Sequence, residues 1–199
     1  IVKHMVWYRV GAVDEKPGKG GAAHLLEHLM FRGTKKVPGS EFNRLMQING
    51  ADSNAFTSLD YTAYHQSLDI SRLELAMALE ADRMANLDFS DEAFAAERDI
   101  VYQERKQVVE NQPLSAFAES MQRGLWQTHP YARPVTGTEE EILSLTREDV
   151  MDIYRRHYVP NNAIIVISGD IEPQTAYRLA EKYYGKVPAG HEIGEKSFP

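Results

Sequence analysis

The alternation of apolar and polar positions predicts a chain that mixes strands and helices. Residues 2–10 are rich in Val, Trp, Tyr and Met and read as a strand. Pro17, Gly18, Gly20 and Gly21 punctuate a loop, after which a helix is expected over 22–31, with Gly33 placed to terminate it. Ser40 is positioned to cap a second, short helix that Asn49-Gly50 ends. Residues 54–68, dense in Thr, Tyr and Phe and broken at Leu59-Asp60, read as two β segments joined by a turn.

Leu73, Met77, Met84 and Leu87 recur at helical spacing through 70–87. Ser90 caps a long helix over 90–109, and Pro113 opens another whose face carries Leu114, Phe117, Ala118, Met121 and Leu125. That stripe is expected to be core. A loop spans 128–137, a helix 146–157, an apolar strand 163–168 and a last helix 172–184. Locally paired strands mixed with helices predict an α+β domain, a mostly antiparallel sheet with helices packed on one face.

Composition narrows the possibilities. The 199 residues, 43% of them hydrophobic, suit one globular domain or two small lobes sharing a core, and a single domain over 1–199 is expected. A net charge of −7 argues against nucleic-acid binding, which needs clustered Lys and Arg. With no cysteine, any metal must be held by His, carboxylate or water. No apolar run is long enough to span a bilayer, and no signal peptide is visible. Because the chain opens on Ile1 inside a strand pattern, it is expected to be a fragment of a longer protein.

The chemistry concentrates in His24-Leu25-Leu26-Glu27-His28. Residues four apart project from one face of a helix, so His24 and His28 can ligate one Zn²⁺ without distorting the backbone. Glu27 lies on the same side and is placed to take a proton from water activated by the metal. The order is the inverse of the common His-Glu-x-x-His motif.

A His₂Glu site needs a further carboxylate, and the 90–109 helix offers Glu97 and Glu104, seven residues apart on one face with Val101 and Val108. Two acids on an inward stripe are costly unless something positive meets them, and Arg98 and Arg105 lie on a neighbouring face. A metal held with the two histidines would account for the acids.

Beyond the motif, the chain resembles the N-terminal zinc domain of the M16 family, which includes pitrilysin, insulin-degrading enzyme and mitochondrial processing peptidase. It is most similar to the bacterial members related to the processing peptidase. The resemblance runs through Val6-Trp7-Tyr8-Arg9-Val10-Gly11-Ala12, Glu27-His28-Leu29-Met30-Phe31-Arg32-Gly33-Thr34 and Asn54-Ala55-Phe56-Thr57. It continues in Glu97-Arg98-Asp99-Ile100-Val101-Tyr102-Gln103-Glu104, His129-Pro130-Tyr131 and Tyr158-Val159-Pro160-Asn161-Asn162-Ala163.

The resemblance implies one zinc ion per chain, held by His24, His28 and Glu104, with Glu27 as the base and Glu97 supporting the site from outside. It also implies that Asn54, Ala55 and Phe56 pair by backbone with an extended peptide substrate. A homologous second domain or subunit, supplying an Arg–Tyr pair, is expected to complete the enzyme and is not found in this chain. A first strand before Val2 is likewise expected to be missing, and the type of relative leans towards a bacterial periplasm. The alternatives are a non-catalytic binding or assembly subunit and a metal-dependent hydrolase of non-peptide substrates.

Overall fold

In the computed structural model, which describes residues 1–194 and Lys196, four strands form one sheet: β1 (Val2–Tyr8), β2 (Asp52–Thr57), β3 (Thr62–Leu68) and β4 (Ala163–Gly169). Their order is β2-β3-β1-β4, and every neighbouring pair is antiparallel. Strand alternation sends Val2, His4, Val6 and Tyr8 of β1, with Tyr64 and Leu68 of β3, to a buried face. Lys3, Met5 and Trp7 point to the other face, alongside the exposed Ile164 and Val166 of β4. The helices cover the first face, so the expected α+β arrangement is the one observed.

Helix α1 (Ala22–Leu29) lies against this layer with Leu25, Leu26 and Leu29 fully buried. Burial of each contributes about 1.5–3 kcal/mol. Its start is closely specified. The Glu15 carboxylate accepts the backbone N–H groups of Gly21, at 3.2 Å, and Ala23, at 2.8 Å. Gly137 packs so closely that a Cβ there would stand 2.3 Å from the Gly20 carbonyl oxygen, which only glycine permits.

Helices α2 (Glu41–Ile48) and α3 (Leu73–Asn86) follow in the chain, α3 crossing beneath β1. Helix α4 (Asp91–Arg105) begins at the expected cap, Ser90 Oγ accepting from the Ala93 N–H at 3.2 Å. Its hydrogen bonding then widens into a π-type turn over Lys106–Glu110. Helices α5 (Pro113–Trp126), α6 (Glu139–Ser144), α7 (Arg147–His157) and α8 (Pro173–Tyr183) complete the α-helices among the described residues.

Several expectations need correction. The first strand stops at Tyr8, and Ser40 precedes α2 without a side-chain capping bond. Helix α6 was not foreseen, although Thr138 and Glu141 form a capping box around it. The α5 stripe is not core: Leu114, Phe117, Met121 and Leu125 are all exposed, Leu114 by 83%. Helical periodicity identifies an apolar face but says nothing of what covers it. Val108 is exposed too, because the π-type turn carries it off the face shared by Glu97 and Val101. Among the described residues no helix is long and apolar enough to cross a membrane.

Candidate metal centre

Helices α1 and α4 pack side by side near the β2 edge of the sheet and bring the predicted residues together. Glu104 Oε2 lies 3.5 Å from His28 Nε2 and 3.8 Å from His24 Nε2. One ligand atom from each of His24, His28 and Glu104 falls within 4.8 Å of the others. Tetrahedral zinc with ligands at about 2.0–2.2 Å separates its donors by roughly 3.3–3.5 Å. The donor set therefore suits that ion, and the two separations from Glu104 lie close to the tetrahedral value.

The electrostatics suit a cation. Burial and the neighbouring His28 lower the His24 pKa to about 4, keeping that ring neutral and ready to ligate. Burial also opposes charge on His28, but hydrogen bonds to Glu104 and Glu97 outweigh it and raise its pKa to about 9. Glu104 is held below the usual carboxylate range chiefly by its bond with His28. Without a metal, a proton on His28 meets the two acids, and a metal ion must displace it.

Glu97 is nearly fully buried and sits on the far side of His28, its Oε2 3.1 Å from Nδ1. The cation that meets it is Arg32, which donates through Nε and Nη2 to Glu97 Oε1. Burial would raise the Glu97 pKa, yet His28 and Arg32 together bring it below the ordinary value. Arg98 and Arg105 are turned elsewhere, to the Leu145 carbonyl and to Glu119. In the sequence Arg32 stands out only as part of the family resemblance, and because it lies three residues beyond the end of α1, no helical spacing ties it to His28 or Glu97. His24 Nδ1, by contrast, is buried with no hydrogen-bond partner among the described residues.

Glu27 is buried beside these groups, and Thr57 Oγ1 of β2 donates to its Oε2 at 2.5 Å. Burial lifts the Glu27 pKa above the carboxylate norm, partly offset by that bond. A cleft of about 510 Å³ opens here, lined by Glu27, His28, Phe31, Arg32, Met46 and Asn54 among others. Asn54, Ala55 and Phe56 lie in β2, whose outer edge is unpaired among the described residues. Asn54 and Phe56 point to the face away from the helices, and Ala55 points towards them.

The family profile described as Insulinase (Peptidase family M16) matches residues 1–139. The chain belongs to the M16 peptidase family. A second profile, Peptidase M16 inactive domain, matches residues 144–199. Zinc protease PqqE of Helicobacter pylori is 31% identical over 199 residues, covering all of this chain and 44% of that protein. Cytochrome b-c1 complex subunit 1 of Homo sapiens is 30% identical over 183 residues, covering 92% of this chain and 38% of that protein.

Among solved structures, the first half of the periplasmic protease PqqL from Escherichia coli superposes with a TM-score of 0.90 at 25% identity, over 100% of this chain and 44% of that one. This M16 chain thus spans less than half the length of these relatives.

Proposed function

We propose that this chain is the metal-binding part of a zinc-dependent endopeptidase. The observation that carries the reading is the convergence of His24 Nε2, His28 Nε2 and Glu104 Oε2 next to the buried carboxylate of Glu27. His24, His28 and Glu104 would hold one ion, which when bound lowers the pKa of water and polarises a substrate carbonyl. Glu27 takes the proton as water attacks the scissile carbonyl and returns it to the leaving amine. Thr57 fixes one oxygen of Glu27 by its hydrogen bond. Glu97 supports the site by accepting from His28 Nδ1–H.

The substrate is an extended peptide or unfolded segment. It would add to the unpaired edge of β2 by backbone pairing along Asn54, Ala55 and Phe56. A non-peptide substrate would have no use for such an edge. Residues 1–199 act as one domain in this reading, supported by β4, from the second matched segment, pairing with β1 from the first. A homologous second domain or subunit, carrying an Arg–Tyr pair that positions substrate, completes the enzyme; this part rests on the family resemblance.

A second reading is a non-catalytic assembly subunit, favoured by the similarity to a cytochrome b-c1 complex subunit. The intact set of His24, Glu27, His28 and Glu104 speaks for the peptidase. The test is Glu27→Gln in the full-length protein. Loss of peptide cleavage with zinc retained supports the proposal, and cleavage at the wild-type rate sinks the assignment of the base.

A further inference from the structure

We infer that Arg32 is a positioning residue of the metal site, acting through Glu97 to hold the His28 ring with Nε2 towards Glu104. The inference rests on the zinc reading above. Its basis is a line of four side chains. Arg32 donates through two nitrogens to Glu97 Oε1, Glu97 Oε2 faces His28 Nδ1 at 3.1 Å, and His28 Nε2 faces Glu104 Oε2 at 3.5 Å. The two oxygens of Glu97 are thus divided between different partners, which leaves the carboxylate one orientation.

Arg32 has this task to itself among the described arginines near α4. Arg98 is engaged with the Leu145 carbonyl, and Arg105 with Glu119 and Thr136. With Arg32 in place the Glu97 side chain is only 4% exposed, so its charge is met mainly by Arg32 and His28 rather than by solvent. When His28 ligates an ion through Nε2 the ring is neutral, and Arg32 is then the counter-charge that remains beside Glu97.

Without Arg32, the buried carboxylate has one fixed oxygen instead of two and is under-compensated. It is then free to rotate. Glu97 stands seven residues before Glu104 on the same side of α4, and a rotated carboxylate no longer holds the ring of His28. Arg32 therefore keeps Glu97 as an acceptor for Nδ1–H and keeps it on the far side of the ring from the ligand atoms. The planar fork of arginine suits this double donation, whereas lysine offers a point charge.

The experiment is a zinc-affinity cycle on the full-length protein, by competition with a chromogenic chelator. Wild type, Arg32→Leu, Arg32→Lys, Glu97→Gln and the double variant Arg32→Leu/Glu97→Gln are compared, each checked for a cooperative thermal melt. The inference expects Arg32→Leu to weaken zinc about tenfold, within the range of outer-shell losses. Arg32→Lys should recover part of that loss, and the double variant should bind no more weakly than Glu97→Gln alone.

Should Arg32→Leu fail to fold, Arg32→Gln takes its place in the cycle with the same expectation. Wild-type affinity in the Arg32 variant, or losses that add in the double variant, would overturn the inference while leaving the zinc reading intact. Absence of zinc binding by the wild type would instead overturn the zinc reading, and Arg32's role with it.

Discussion

Thr57 Oγ1 donates a 2.5 Å hydrogen bond to Glu27 Oε2, tying the edge strand of the sheet to the helix that carries both histidines. The bond joins the group expected to move the proton to the strand expected to seat the substrate. Thr57→Val keeps the shape of the side chain and removes the donor. Cleavage by the full-length protein should fall about tenfold, the effect of losing a hydrogen bond of 1.5–3 kcal/mol to a charged group in part. Zinc content should not change, and a variant as active as wild type would show that Thr57 does not orient Glu27.

Arg83 and Glu80 form a fully buried pair beneath the sheet, with Arg83 stacked over Phe31, Phe42 and Tyr64 and Glu80 also bound to Gln66. Removing one partner strands the other charge. Arg83→Met should therefore cost about 3–5 kcal/mol in denaturant unfolding, and Glu80→Gln/Arg83→Met should recover part of it. A single variant with unchanged stability would mean that the pair is not buried as described.

Helix α5 offers the opposite test. Since Leu114 and Leu125 are exposed by 83% and 72%, replacing either with Ala should shift the stability of this chain by less than about 0.5 kcal/mol. Leu25→Ala in α1 should cost about 2–5 kcal/mol. Comparable losses at Leu114 and Leu25 would show that the α5 stripe is covered in solution.

Burial raises the pKa of Glu15 to about 8, against an opposing pull from the N–H groups of Ala23 and Gly21. A carboxyl whose folded pKa exceeds its unfolded value holds its proton more tightly in the native state. Its contribution is complete below the unfolded pKa near 4.5 and is lost as pH rises towards 8. The wild type should thus lose a few kcal/mol over that window, and Glu15→Gln should flatten this part of the profile. Identical slopes for the two proteins would show that Glu15 is already ionised in the fold.

Much of this was legible in the residues. The spacing of His24 and His28 requires only a helix, and the helix cap at Ser90 was readable from its side chain. The antiparallel sheet followed from strand-like runs with a turn between them. What stayed hidden depends on contacts between distant segments. Arg32 meets Glu97 only because the turn after α1 is carried against α4, and Thr57 meets Glu27 only because β2 borders α1. The α5 stripe misled because an apolar helical face has the same pattern whether or not anything covers it.

The metal site itself is open to elemental analysis of the purified protein, wild type beside Glu104→Gln. About one zinc per wild-type chain and a marked loss in the variant are expected. A wild type that holds no zinc after it is added back, or a Glu104→Gln variant that holds it equally well, would contradict the zinc assignment.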